Sequence, residues 1–201
     1  MLTLAIETAG NACSIALFDA TRIIAERHEN VGRGHAERLI PWIAELPDGG
    51  RADRIIVGCG PGSFTGVRIG IAAARALGLG WGVPVNGVSS LALIAAQCPA
   101  DIFVVAAEGG HGELLVQQYH RNPFRTEGDF ASLDPESAGK VVRANMVVGE
   151  GAARLIAARD YGTYFPAEAR AANVRLLPPE IMTLAPTPLY GRPPDAKPIA
   201  G

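Results

Sequence analysis

The sequence is poor in the residue patterns that mark a metalloprotein, a redox protein or a free-standing nucleic-acid binder. Its three cysteines, Cys13, Cys59 and Cys98, are scattered and form no CxxC pair, so neither a zinc knuckle nor a thioredoxin-type site is supported. Its four histidines, His28, His35, His111 and His120, contain no HExxH and no i, i+4 pair, the spacing that sets two imidazoles on one helix face. His111-Gly112-Glu113 supplies only half of a zinc-deaminase signature, and no PCxxC half accompanies it. No metal site is expected. A net charge of −2 with no basic stripe lacks the footprint of a protein that grips tRNA or DNA alone. No apolar stretch reaches the ~18 residues of a membrane span. The start, MLTLAIET, reaches Glu7 without the basic and apolar regions of a secretory leader, which makes the cytoplasm the expected compartment.

What is present is an ordinary globular composition: 201 residues, 48% hydrophobic and 19% charged, enough for a core without staples. Leu2–Glu7, Cys13–Phe18 and Arg22–Glu29 read as three strands with short links, an antiparallel meander. His35–Leu46 has helical period through Leu39, Ile43 and Leu46, with Pro41 inside it. A strand at Arg54–Cys59, a helix from about Phe64 to Leu79, a strand at Pro84–Val88 and a helix at Ser89–Gln97 complete a β-β-β-α-β-α-β-α order. Cys98–Asp101 reads as a boundary between an N-terminal lobe, 1–99, and a smaller C-terminal lobe, 100–201. In the latter, strands are expected at Ile102–Ala107, Glu113–His120 and Ala144–Val148 and a helix at Gly151–Arg159. The proline-rich end from Leu176 is expected to be extended. No internal repeat is visible in the residues.

The densest feature is GCGPGSFTGVRIG at 58–70. It is not a Walker A loop, since no lysine follows a glycine. It fails the GxGxxG and GxSxG patterns at their third glycine and first glycine respectively. Gly60, Gly62 and Gly66 permit close backbone approach, and Ser63 or Thr65 can cap the helix that follows. Val67, Ile71, Ala74 and Gly78 make one stripe on that helix; Gly66, Gly70, Ala73 and Leu77 make a second. A helix apolar or small nearly all round is buried on two sides, either wholly inside the chain or against another chain. Glu7, at the end of the first strand, can hydrogen-bond the Thr8-Ala9-Gly10 turn or meet a metal–nucleotide; with no partner acid in a second such loop, the structural role is favoured.

LTLAIETAGNACSIALF, GHAERLIPWI, GCGPGSFTGVRIGIAAARALGLGWGVPVNGVSSL and the ending PLYGRPPDAKP together resemble the TsaB (YeaZ) family, over 1–98 and the last dozen residues, with a looser match at 121–175. The resemblance implies an actin-like, two-lobed α/β fold of the sugar kinase and Hsp70 type. It implies a non-catalytic scaffold or dimerisation subunit. Such a subunit binds and activates TsaD, the transferase that makes threonylcarbamoyladenosine in tRNA. A small ATPase, TsaE, docks on the assembled pair, tRNA is reached through the complex, and the pairing lobe serves either TsaD or a second copy in a homodimer. TsaD carries two metal-binding histidines on the helix after the strand that follows the glycine-turn helix. Here Ser89, Ser90 and aliphatic residues stand at the matching place, so no metal, cofactor or transfer chemistry is expected. The resemblance places the pairing surface at Gly62, Ser63, Phe64, Thr65, Gly66, Arg68 and Gly70, with His35, Arg38 and Leu39 adjoining. Relatives carry an Asp-Ala-Arg-like turn where this chain has Glu108-Gly109-Gly110-His111, so no role of that arginine carries over. The rival expectation is an ATPase- or kinase-like protein with nucleotide in the interlobe cleft; a glycoprotease-like peptidase finds no nucleophile–base pair.

Overall fold

Leu2–Glu7 (β1), Ala12–Asp19 (β2) and Arg22–Asn30 (β3) are apolar or β-branched runs joined by tight turns, and they pair antiparallel in sequence. A computed structural model describes residues 1–190. The part of the expected extended tail beyond Tyr190, with most of the PLYGRPPDAKP ending, lies outside the described residues. Arg54–Gly58 (β4) lies parallel to β1, and Val85–Val88 (β5) parallel to β4, giving a five-stranded mixed sheet in the order β3-β2-β1-β4-β5. The crossovers are helices: His35–Ala44 (α1) leads into β4 by way of a short 3-10 turn, and Phe64–Trp81 (α2) connects β4 to β5. Both pack on one face of the sheet, where Leu39, Trp42, Ile43, Val67, Ile71 and Ala74 join Leu4, Ile6, Ile15 and Ile55 in a single core.

A second five-stranded sheet follows Ser90–Ala95 (α3). It comprises Ile102–Glu108 (β6), Leu114–His120 (β7), Arg125–Leu133 (β8), Met146–Val148 (β9) and Thr163–Phe165 (β10), in the order β10-β9-β6-β7-β8. Pro135–Val141 (α4) and Ala152–Arg159 (α5) cover its outer face through Ala138, Val142, Ala152 and Leu155. Between the sheets lies the largest core, where Ala5, Ala16, Phe18, the α3 residues Leu91–Ala95, Phe103, Val105 and Tyr119 meet Ala171, Ala172 and Val174. The molecule is therefore a stack of helices, sheet, helix, sheet and helices: the two-lobed α/β arrangement that the resemblance implies.

The chain does not stay in the second lobe. The 3-10 segment Ala171–Leu176 packs on β1 and β2. Ala171 N–H donates to Ser14 Oγ at 3.0 Å, and Leu184 bridges Gly87 at the edge of β5. Leu189 N–H then donates to the Cys59 carbonyl at 2.7 Å. The segment from 171 to 189 thus returns, by packing and hydrogen bonding, to the first sheet.

Three elements depart from expectation. β8, α4 and β10 form where the residues gave no strand or helix expectation. β8 is an edge strand with little burial and a left-handed Gly128 at φ +71°, so no apolar alternation announces it. β10 is three exposed residues. α4 is held by Asp134, whose side chain accepts from Ser137 N–H at 3.0 Å, and by Pro135 in its first turn. The cysteines are all free and buried, and burial pushes the Cys13 and Cys59 thiols up to about 11.

Candidate functional site: a glycine turn, a locked acid and an exposed helix face

The glycine string is a device for seating α2 on the β1 turn. A Cβ at Gly62 would stand 2.4 Å from the Ala9 carbonyl oxygen, one at Gly66 2.1 Å from the Thr8 carbonyl oxygen, and one at Gly70 2.4 Å from Thr8 Oγ1. The contact is stitched by hydrogen bonds: Ser63 N–H donates to Ala9 O at 2.7 Å and Thr8 Oγ1 donates to Gly66 O at 2.8 Å. Ser63 caps the helix, its Oγ accepting from Gly66 N–H at 3.2 Å, as a serine at that position should. The Gly60–Pro61 peptide is cis. The protein's own backbone and a serine hydroxyl thus engage the helix start, where a phosphate loop would present free N–H groups.

The close approach is internal, and that corrects part of the expected pairing surface. Gly66 and Gly70 are buried, and the backbone they approach is that of Thr8 in the same chain. His35 is buried, with Nε2 3.1 Å from the Gly10 carbonyl, and Leu39 is in the core. What remains at the surface is Gly62, Ser63, Phe64, Thr65, Arg68 and, on α1, Arg38. Within the chain α2 is covered on one side. One face carries Val67, Ile71, Ala74 and Gly78 into the core; the opposite face, with Phe64, Arg68, Ala72, Arg75, Ala76 and Leu79, is exposed. Leu79 is 87% and Phe64 50% exposed. On α1, Ala36, Ile40, Pro41 and Ala44 are exposed as well, and the two helices touch. At the start of α2 the Arg68 guanidinium sits 3.3 Å from the Phe64 ring centroid, and Tyr190, arriving from the C-terminal strap, stacks on Phe64 at 5.4 Å.

Glu7 is fully buried and satisfied. Its Oε1 accepts from Ala9 N–H at 2.5 Å and its Oε2 from the Ser90 hydroxyl at 2.6 Å. Ser90 Oγ in turn accepts from Gly60 N–H at 3.2 Å. Burial raises the Glu7 carboxyl above the usual carboxylate range, against the lowering effect of those hydrogen bonds. The space over Gly58 is filled by the carboxylate, 2.0 Å from a would-be Cβ. Ser90, one of the serines at the place of the metal-binding histidines, is therefore a clamp on an acid. A hydroxyl donating to a carboxylate is a poor stand-in for neutral imidazole, so these residues do not fit the metal. Among the described residues no group of three or more His, Cys, Asp or Glu side chains is placed to hold an ion.

An open cleft of about 710 Å³ lies between the lobes, lined among others by Glu29, Glu108, Glu150, Glu168, His28 and Arg170. Glu108 ends β6 as Glu7 ends β1, a matching acid that the sequence reading missed; the signal was an apolar run ending in glutamate, LTLAIE and IFVVAAE. It pairs with Arg154 of α5. Glu168 faces His28 at 2.9 Å. Glu150 is exposed to the cleft, yet desolvation by its walls, then the charges of Glu168 and Glu108, push its carboxyl up to about 7. Among the described residues no helix is long and apolar enough to cross a membrane.

Comparison with known proteins bears on this arrangement. Residues 22–134 match the family described as TsaD, tRNA N6-adenosine threonylcarbamoyltransferase. An uncharacterized protein of Mycobacterium tuberculosis is 37% identical over 190 residues, covering 89% of this chain and 84% of that one. The tRNA threonylcarbamoyladenosine biosynthesis protein TsaB of Escherichia coli is 37% identical over 148 residues, 68% of this chain and 64% of its own length. The solved YeaZ of Pseudomonas aeruginosa superposes with a TM-score of 0.74 at 28% identity, covering 87% of this chain and 89% of that one. With its actin-like, two-lobed fold, its glycine turn and a clamped glutamate at the end of β1, the chain belongs to the TsaB/YeaZ group of the TsaD family.

Proposed function

We propose that this protein is the non-catalytic partner subunit of a TsaD-type threonylcarbamoyltransferase in tRNA threonylcarbamoyladenosine biosynthesis, and that it binds that transferase through the exposed face of α1 and α2. The observation that carries the reading is that face: Ile40, Phe64 and Leu79 exposed among small residues on two touching helices, an apolar patch of the kind that marks a protein partner. The relatives named TsaB are biosynthesis proteins of this modification. The chain contributes surface rather than reactive groups. Its β1 acid is clamped by Ser90, and its helix start is engaged by its own backbone. A TsaE-type ATPase docks on the assembled pair, tRNA is contacted only through the complex, and the compartment is the cytoplasm.

The test joins binding to activity. The intact chain and the TsaD-type transferase of the same organism should co-elute, and transfer activity should depend on both. Leu79→Glu, at an exposed position, should abolish co-elution and activation while leaving the thermal midpoint of the lone chain unchanged. Full activity of the transferase alone, with no binding, overturns the proposal.

The alternative, a nucleotide-binding ATPase- or kinase-like protein, draws on the interlobe cleft. Four carboxylates line that cleft against one arginine and one histidine, and a triphosphate would add negative charge to walls already negative. Tight, magnesium-dependent ATP binding by the lone chain in calorimetry would favour this alternative over the partner-subunit reading.

A further inference from the structure

The exposed face of α2 carries charge of one sign only. Arg68 and Arg75 are both exposed and stand two turns apart, about 10.5 Å along the axis. The helix contains no acid, FTGVRIGIAAARALGLGW. Among the described residues neither arginine has a carboxylate partner, whereas the neighbouring arginines do: Arg38 of α1 lies 3.5 Å from Glu29, and Arg27 of β3 lies 2.5 Å from Glu45. Arg68 is also held in place, 3.3 Å from the centroid of Phe64 and 5.4 Å from that of Tyr190. A guanidinium already ordered on aromatic faces loses little freedom when it meets a carboxylate, and it can take that carboxylate with two parallel N–H donors.

We propose that Arg68 and Arg75 choose the occupant of this face: a partner protein helix bearing carboxylates about two turns apart, in preference to a second copy of this chain. The proposal rests on the assignment of the α1–α2 face as the pairing face. A two-fold pair of this chain would bring Arg68 and Arg75 from each copy into one interface, against one exposed acid on the adjoining face of α1, Glu37, from each. Isologous pairing repeats the same surface on both sides, so it repeats the excess of positive charge. A partner with acids at matching positions converts that repulsion into attraction, which is how charged groups commonly set specificity and encounter rate.

The experiment uses three forms of the intact chain: wild type, Arg68→Glu/Arg75→Glu, and Arg68→Lys/Arg75→Lys. In sedimentation at low salt, wild type mixed with the doubly reversed form should associate at least about tenfold more tightly than wild type alone, and rising salt should erase the difference. Against the TsaD-type transferase, reversal should weaken binding by about tenfold or more, mostly in the association rate, while the lysine form retains most of it. Reversal that leaves transferase binding intact while Leu79→Glu destroys it overturns the charge proposal and keeps the face. Tight, salt-insensitive self-association of wild type, matched by the reversed form, also overturns it. Loss by neither reversal nor Leu79→Glu removes the face itself, and the partner-subunit assignment of that surface with it.

Discussion

β1 and β6 occupy the same place in their sheets. Each is the central strand, antiparallel to the strand that follows it and parallel to a later one, and each ends on a glutamate. After the parallel neighbour, each lobe makes a glycine turn into a helix: Gly58–Gly62 into α2, Gly149–Gly151 into α5. The second turn also brings backbones together, since a Cβ at Gly149 would stand 2.3 Å from the Ala106 carbonyl oxygen. Yet the outcomes differ. In the first lobe the acid is buried and clamped, and the helix runs 18 residues with one face left open. In the second the acid lies at the cleft in an ion pair, and the helix is 8 residues long. One topology buries its strand-end acid and leaves a long helix face open in the first half, while the second keeps its carboxylates along an open cleft.

The sharpest way to break that comparison is at Gly66. Gly66→Ala would place a methyl 2.1 Å from the Thr8 carbonyl, a backbone atom that has no rotamer to escape into. The loss should be about 3 kcal/mol or more, read as a collapse of the chemical-denaturation midpoint. Gly80→Ala, in the same helix but with nothing within 4 Å, should instead stabilise by about 0.5–1 kcal/mol, because alanine is the better helix former. If both changes cost the same, the seating of α2 on the β1 turn is not what the glycines serve.

The two strand-end acids are the next contrast. Ser90→Ala removes the hydroxyl that donates to buried Glu7 and accepts from Gly60 N–H. Leaving both without a partner should cost about 1–3 kcal/mol. Glu108→Gln touches a half-exposed pair with Arg154 and should cost at most about 1 kcal/mol. Urea midpoints of the two variants order the lobes directly. Equal losses would mean that Glu7 is no more a structural residue than Glu108.

Much of the first lobe was legible in the residues and much of the second was not, for physical reasons. The β1–β3 meander is short, apolar and tightly linked, and α2 follows a glycine string, so periodicity and turn chemistry agree. β8 and β10 are edge strands with no fully buried residue, and their formation is imposed by pairing to β7 and β9 rather than by pattern. The repeat between the lobes is invisible in the residues because Gly149-Glu150-Gly151 shares only its glycines with 58–62. At the candidate site, glycine spacing revealed close backbone approach but not whose backbone. Only the folded chain shows that it is the backbone of Thr8 and Ala9, with Gly66, Gly70, His35 and Leu39 in the interior.

Glu150 offers the smallest and most discriminating effect. Its carboxyl is pushed from 4.5 to about 7, by desolvation first and by Glu168, Glu108 and Glu7 after it. A carboxyl whose folded value lies above its unfolded one binds the proton more tightly when folded. Its contribution is therefore fully present below about pH 4.5 and lost as pH rises through about 7. Because Glu150 is exposed to the cleft, solvent screening keeps the change in stability modest. A carbon-detected NMR titration should give a midpoint near 7 for Glu150, and Glu150→Gln should flatten the decline in thermal midpoint between about pH 5 and 7. In Glu168→Gln the midpoint should move down, since the largest charge opposing ionisation is gone. A midpoint near 4.5 in the intact protein would mean that the cleft does not hold its acids against one another. The contrast between the clamped acid of the first lobe and mutually opposed acids at the cleft would then hold only on its first side.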